Sequence, residues 1–86
     1  MLRDTDYAEE LTEPGVIRWG DDEGRIERLR IKDSNEVEIR FSWWKEGKKM
    51  VPRPLDLSES DLIKLLRDAI AKGVFSPEFL TDLRSL

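Results

Sequence analysis

The 86-residue chain has no cysteine and no histidine. The first absence excludes disulfide and thiolate chemistry, and the second removes the commonest general base and metal ligand. Nucleophilic triads and zinc sites are not expected. The one dense acidic cluster, Asp21-Asp22-Glu23, reads as a solvated turn rather than a metal site. No catalytic residue, metal or cofactor is assigned, and an enzyme is not expected. Long apolar runs are missing too: no window approaches the ~18 to 20 apolar residues of a membrane span. Residues 1–15 also lack the basic and apolar regions of a signal peptide. These absences point to a cytoplasmic protein. A single domain of this length buries only about 60 to 65% of its unfolded surface, so its core is thin.

The formal net charge is −4, but it is unevenly spread. In residues 1–24 only Arg3 and Arg18 stand against eight acidic side chains. In residues 25–53 nine basic side chains stand against five acidic ones, and in residues 54–86 four stand against six. A basic middle therefore lies between acidic ends. The carboxylate-rich residues 1–15 have few large apolar side chains to offset the cost of ordering a backbone, and read as a flexible leader. A single ββββαα domain is expected over residues 16–86.

After the breaker Glu13-Pro14-Gly15, the run Val16-Ile17-Arg18-Trp19 reads as a short strand, with Trp19 in the core, closed by Gly20–Gly24. Leu29 and Ile31 then alternate with Arg28, Arg30 and Lys32. Beyond Asp33-Ser34-Asn35, Val37, Ile39, Phe41 and Trp43 alternate with Glu36, Glu38, Arg40 and Ser42. A three-residue loop with Asn35 left-handed places Ile31 opposite Val37 and Leu29 opposite Ile39. On the other face it sets Lys32 against Glu36, Arg30 against Glu38, and Arg28 against Arg40. The last pair juxtaposes like charges, which points to an anionic partner. A second turn at Glu46-Gly47 sets Lys45 against Lys48, Trp44 against Lys49, and Trp43 against Met50. Phe41, Trp43 and Met50 are then expected in the core, and Trp44 exposed among cations, as a clasp on Lys49 or a stacking platform for a base.

Pro52-Arg53-Pro54 ends the sheet. Ser58 caps a helix with Asp61 in its first turn and Gly73 past its end, whose stripe of Leu62, Leu65, Leu66, Ala69 and Ile70 covers the sheet. Ser76-Pro77 starts a second, short helix with Phe79, Leu80, Leu83 and Leu86 on one side. The expected fold class is α+β, a four-stranded antiparallel β-meander followed by an amphipathic α-helix and a short C-terminal helix.

Several positions between Arg25 and Ile70 resemble the single-stranded-DNA-binding domain of the transcriptional coactivator positive cofactor four and its bacterial relatives. They are the strand Val37-Glu38-Ile39-Arg40 with aromatics just beyond, the turn glycine Gly47, the basic Arg53 before the helix, the Leu55-x-Leu57-Ser58 approach, and the Leu66/Ile70 spacing. The resemblance implies a curved four-stranded sheet with one helix, a homodimer, and a nucleic-acid path along Arg40, the aromatic Trp44, and Arg53. The chain departs from the pattern at Arg53-Pro54, where the family usually has Lys-Gly, and in its acidic leader and extra helix.

Two functions follow. The first is sequence-tolerant binding of single-stranded DNA or RNA by a homodimer serving transcription or DNA metabolism, which would be nucleoid-associated. In it Arg28, Arg40, Lys49 and Arg53 track phosphates and Trp44 stacks on a base. The alternative is a small protein-interaction module that docks, on a partner such as the transcription machinery, through its sheet edge or terminal helix, without nucleic acid.

Overall fold

A computed structural model, which describes residues 2–86, has the four strands expected between residues 16 and 51 and adds a fifth ahead of them. The strands are β1 Ala8–Glu10, β2 Gly15–Trp19, β3 Asp22–Ile31, β4 Val37–Lys45 and β5 Lys49–Val51, and the helices are α1 Glu59–Ala71 and α2 Pro77–Arg84. All pairings are antiparallel, so the chain is an α+β fold with one five-stranded sheet. Strands β2 to β5 form the expected meander. Strand β1 shares the same side of the long β3 with β2, which pairs with residues 22–26 while β1 pairs with residues 29–31. Among the described residues no helix is long and apolar enough to cross a membrane.

The segment before Gly15, expected as a flexible leader, is part of the sheet. Ala8 pairs with Ile31 and Glu10 with Leu29, and Ala8, Leu29 and Ile31 form a small apolar cluster. Charge complementarity accounts for this where apolar content does not. Glu9 pairs with Arg30, Asp4 with Lys32, and Arg3 with both Glu10 and Glu27. The domain thus begins well before residue 16.

Both hairpin registers differ by one residue from the expected ones. The first loop holds four residues, Lys32 to Asn35: the Ile31 N–H donates to the Glu36 carbonyl at 2.8 Å, and the Asn35 N–H to the Ile31 carbonyl at 2.7 Å. Asn35 is left-handed as expected, with φ 60°. In the second, Lys48 joins the loop and Lys45 faces Lys49. A one-residue shift moves each side chain to sit beside a different neighbour. Arg40 therefore faces Glu27, Arg28 faces Ile39, and Glu38 faces Leu29. Leu29 and Ile31 do not share a face with Ile39 and Phe41.

The main core lies on one face, where Ile26 meets Leu65, Ala69, Val74 and Phe75, joined at its margin by Ile17, Leu55, Leu57, Leu66 and Leu80. Ile26, Leu65 and Val74 are wholly buried, each worth about 1.5 to 3 kcal/mol. Both helix starts follow the caps: the Ser58 hydroxyl accepts from the Asp61 N–H at 3.1 Å and the Ser76 hydroxyl from the Phe79 N–H at 3.2 Å. Helix α1 lies over β2 and β3 and does not reach β4. The Val16 N–H donates to the Asp68 carboxylate at 2.7 Å, which fastens helix to strand.

Candidate nucleic-acid interface

The short reach of α1 decides what β4 presents. Val37, Ile39, Phe41 and Trp43 lie on the helix-bearing face but beyond the helix, so Phe41 is 52% exposed and Trp43 half-buried. Met50, on the opposite face from Trp43, is exposed as well. The expectation that Phe41, Trp43 and Met50 form the core is therefore corrected, as is the core placement of Trp19, which is exposed.

Trp44, expected as the exposed platform, is 7% exposed. Its ring lies between two guanidinium groups, with the Arg3 and Arg25 central carbons 4.3 and 4.2 Å from its centroid, and its indole N–H donates to the Ser42 hydroxyl at 2.8 Å. The cation–π clasp exists, but Lys49 takes no part in it, because Lys49 lies on the other face.

Beside Trp44 is a buried ionic network. Glu27 has no exposed surface; it accepts from the Ser42 hydroxyl at 2.7 Å and from Arg40 Nε at 3.2 Å, and is paired with Arg3. Burial pushes its carboxyl up, but Ser42, the Glu10 carboxyl, Arg40 and Arg3 outweigh that and hold it below the ordinary carboxylate range. Glu10 goes the other way, pushed up by burial and by the neighbouring Glu27, against the Arg3 backbone N–H. Arg40 is committed to that network, and Arg28 donates to the Val74 carbonyl at 3.2 Å, holding the connection between the helices. The expected Arg28/Arg40 like-charge pair does not form.

Lys49 and Arg53 do come together. With Lys45, Trp43 and Val51 they line an open hollow of about 460 Å³ at the β4–β5 end of the sheet. Arg18, Arg25, Arg30, Lys32 and Arg40 all have carboxylate partners. Among the described residues Lys45, Lys48, Lys49 and Arg53 have none. Lys45 stands directly opposite Lys49, so the like-charge pair that favours an anion lies here. The Trp43 ring is anchored by its N–H, which donates to Asp22 Oδ2 at 3.1 Å.

Sequence reasoning missed Lys45 and Trp43. Their signal was present as parity, since residues 43 and 45 share a face in any strand, but it pointed to this surface only once Trp43 was known to escape the core. No group of three or more Asp or Glu side chains is placed to hold a metal ion among the described residues. Compared with known proteins, the chain matches no family model, no curated protein and no solved structure.

Proposed function

We propose that this protein binds single-stranded nucleic acid at the β4–β5 corner, with phosphates on Lys45, Lys49 and Arg53 and a base against Trp43. The observation that carries the reading is the unpaired Lys45/Lys49 juxtaposition beside an anchored, accessible indole. An open indole offers its π-face to bases that only an unpaired strand can present, worth about 1 to 3 kcal/mol per base. Three phosphate contacts give a logarithmic salt slope of about −2 on single strands. The resemblance to positive cofactor four agrees with this reading in kind and at Arg53, but not at Arg40 and Trp44, which are engaged elsewhere. The test is a Trp fluorescence titration with oligo-dT, oligo-U and a matched duplex across a salt series. Lys49→Glu with Arg53→Glu should weaken single-strand binding at least tenfold and leave the melting temperature within a few degrees. Equal affinity of the double variant, or a flat response at low salt, overturns the proposal.

A second reading, self-association, rests on the exposed row Val37, Ile39 and Phe41, at 47%, 37% and 52% exposure on one face of β4. Such contiguous apolar surface favours burial against another copy, the homodimer of the sequence reading. Sedimentation equilibrium should give a dimer that Ile39→Glu converts to a folded monomer; a monomeric parent at high micromolar concentration refutes it.

A further inference from the structure

A second hollow, of about 400 Å³, is also lined by Trp43, but it carries no basic side chain where the first carries Lys45, Lys49 and Arg53. Two indoles line it, Trp19 and Trp43, together with the carboxylates of Asp56 and Asp61. Neither Asp56 nor Asp61 has an ion-pair partner among the described residues.

The aromatic walls are built in. Trp19 lies across Gly24, where an added Cβ would come within 3.2 Å of two of its ring carbons. Gly24 is the Cα partner of Trp43 in the next strand, so the missing side chain leaves room for the edge of the Trp19 ring next to the Trp43 position. The Trp43 ring is fixed in turn by its bond to Asp22, the Cα partner of Trp19.

We infer that this hollow is a binding site for a cationic side chain, the ammonium group of a lysine presented by a partner protein. An ammonium group over an indole face is attracted by the ring quadrupole, and a pair of indoles with carboxylates at the margin adds charge complementarity. The positive end of α1 opposes a cation only weakly. Its cap hydroxyl already accepts from the Asp61 N–H, and its partial charge of about half a unit faces two full negative charges. A phosphate or carboxylate ligand meets those two charges with repulsion. The site does not rest on the nucleic-acid reading, because Trp19, Asp56 and Asp61 play no part in the basic corner.

The three indole N–H signals in a two-dimensional ¹H–¹⁵N spectrum give a direct test with an internal control. The probes are N-acetyl-lysine methylamide, its Nε-trimethyl form, and N-acetyl-norleucine methylamide as the neutral analogue. The lysine probes should move the Trp19 and Trp43 signals saturably in the millimolar range, while the Trp44 signal, buried in its guanidinium clasp, stays in place. The norleucine probe should bind at least fivefold more weakly. Asp56→Asn with Asp61→Asn should weaken the lysine probes by a similar factor without altering the rest of the spectrum. Trp19→Leu, at an exposed position, should abolish the response. Equal shifts from the lysine and norleucine probes, unchanged affinity in the double Asn variant, or no movement of Trp19 and Trp43 at 100 mM lysine probe would each overturn the proposal.

Discussion

Glu27→Ala is expected to remove a large share of the domain's stability. Glu27 is wholly buried in the middle of the sheet and is the shared acceptor of Ser42, Arg40 and Arg3. Removing one member of such a buried ionic group leaves the others uncompensated, at a cost of about 3 to 5 kcal/mol. A domain of 86 residues has on the order of 4 to 13 kcal/mol in total, at about 0.05 to 0.15 kcal/mol per residue. The damage spreads because Ser42 also accepts from the Trp44 indole, and Arg3 covers the Trp44 ring. Urea unfolding should show the loss as a collapse of the midpoint. Glu27→Gln keeps an acceptor for Ser42 and should cost less, about 1 to 3 kcal/mol. A Glu27→Ala unfolding free energy within about 1 kcal/mol of the parent's would refute the account.

The same network sets an acid dependence. Glu27 is held below the ordinary carboxylate range, and so is Asp68, where burial is outweighed by Lys72, the Val16 N–H and Arg18. A depressed folded pKa gives stability that is fully present above the unfolded value and lost as pH falls through the folded one. Glu10 has the opposite sign: its contribution is present below its unfolded value and fades as pH rises through its raised folded one. Stability should therefore fall on acidification below the ordinary carboxylate range, and Glu27→Gln should flatten that fall.

Much of this fold was legible because local signals agreed with one another. Ser58 and Ser76 cap helices, Asn35 is left-handed, and Glu46-Gly47 makes the second turn, both residues with positive φ. The register was not legible, because a left-handed Asn35 suits a four-residue loop as well as a three-residue one. One residue was enough to pair Arg40 with Glu27 instead of Arg28. A warning lay in β3 itself, where Ile26 is out of phase with Leu29 and Ile31. No single face can hold all three, so β3 feeds the main core through Ile26 and the smaller cluster through Leu29 and Ile31. The leader was misread because composition counts apolar side chains, whereas Arg3 and Glu10 are held by partners distant in sequence. Of the expected site residues, Lys49 and Arg53 lie at one corner, but the register slip puts Lys49 opposite Lys45 and on the other face from Trp44. Trp43 and Trp44 exchanged roles because α1 stops short of β4 and the N-terminal segment covers the opposite face.

Gly15 carries the second large effect, for a reason its sequence context concealed. Beside Pro14 it reads as a breaker, yet it is a buried strand residue opposite the wholly buried Ile26. A Cβ built there would lie 2.6 Å from the Ala69 Cβ, 2.7 Å from its Cα and 2.8 Å from its N. Two of those atoms are helix backbone and cannot turn aside, so α1 itself must retreat. Retreat stretches the bond from the Val16 N–H to Asp68 and opens the core around Leu65 and Ala69. Overpacking of this kind costs about 1 to 3 kcal/mol and occasionally more, against roughly 0.4 to 1 kcal/mol gained by stiffening the unfolded chain. Gly15→Ala should therefore lose about 2 kcal/mol, and Gly15→Val, with two further methyl groups, at least 3. Ala69→Gly, which alone costs about 1 kcal/mol of helix propensity, should lower the penalty of Gly15→Ala by removing the Cβ contact. It should not erase it, since the Cα and N contacts persist. A double-mutant cycle in urea measures that coupling, and additive losses would show that strand and helix do not meet at this point. Because α1 also carries Asp61, the Gly15 variants that remain folded should shift the Trp19 and Trp43 indole signals more than that of Trp44.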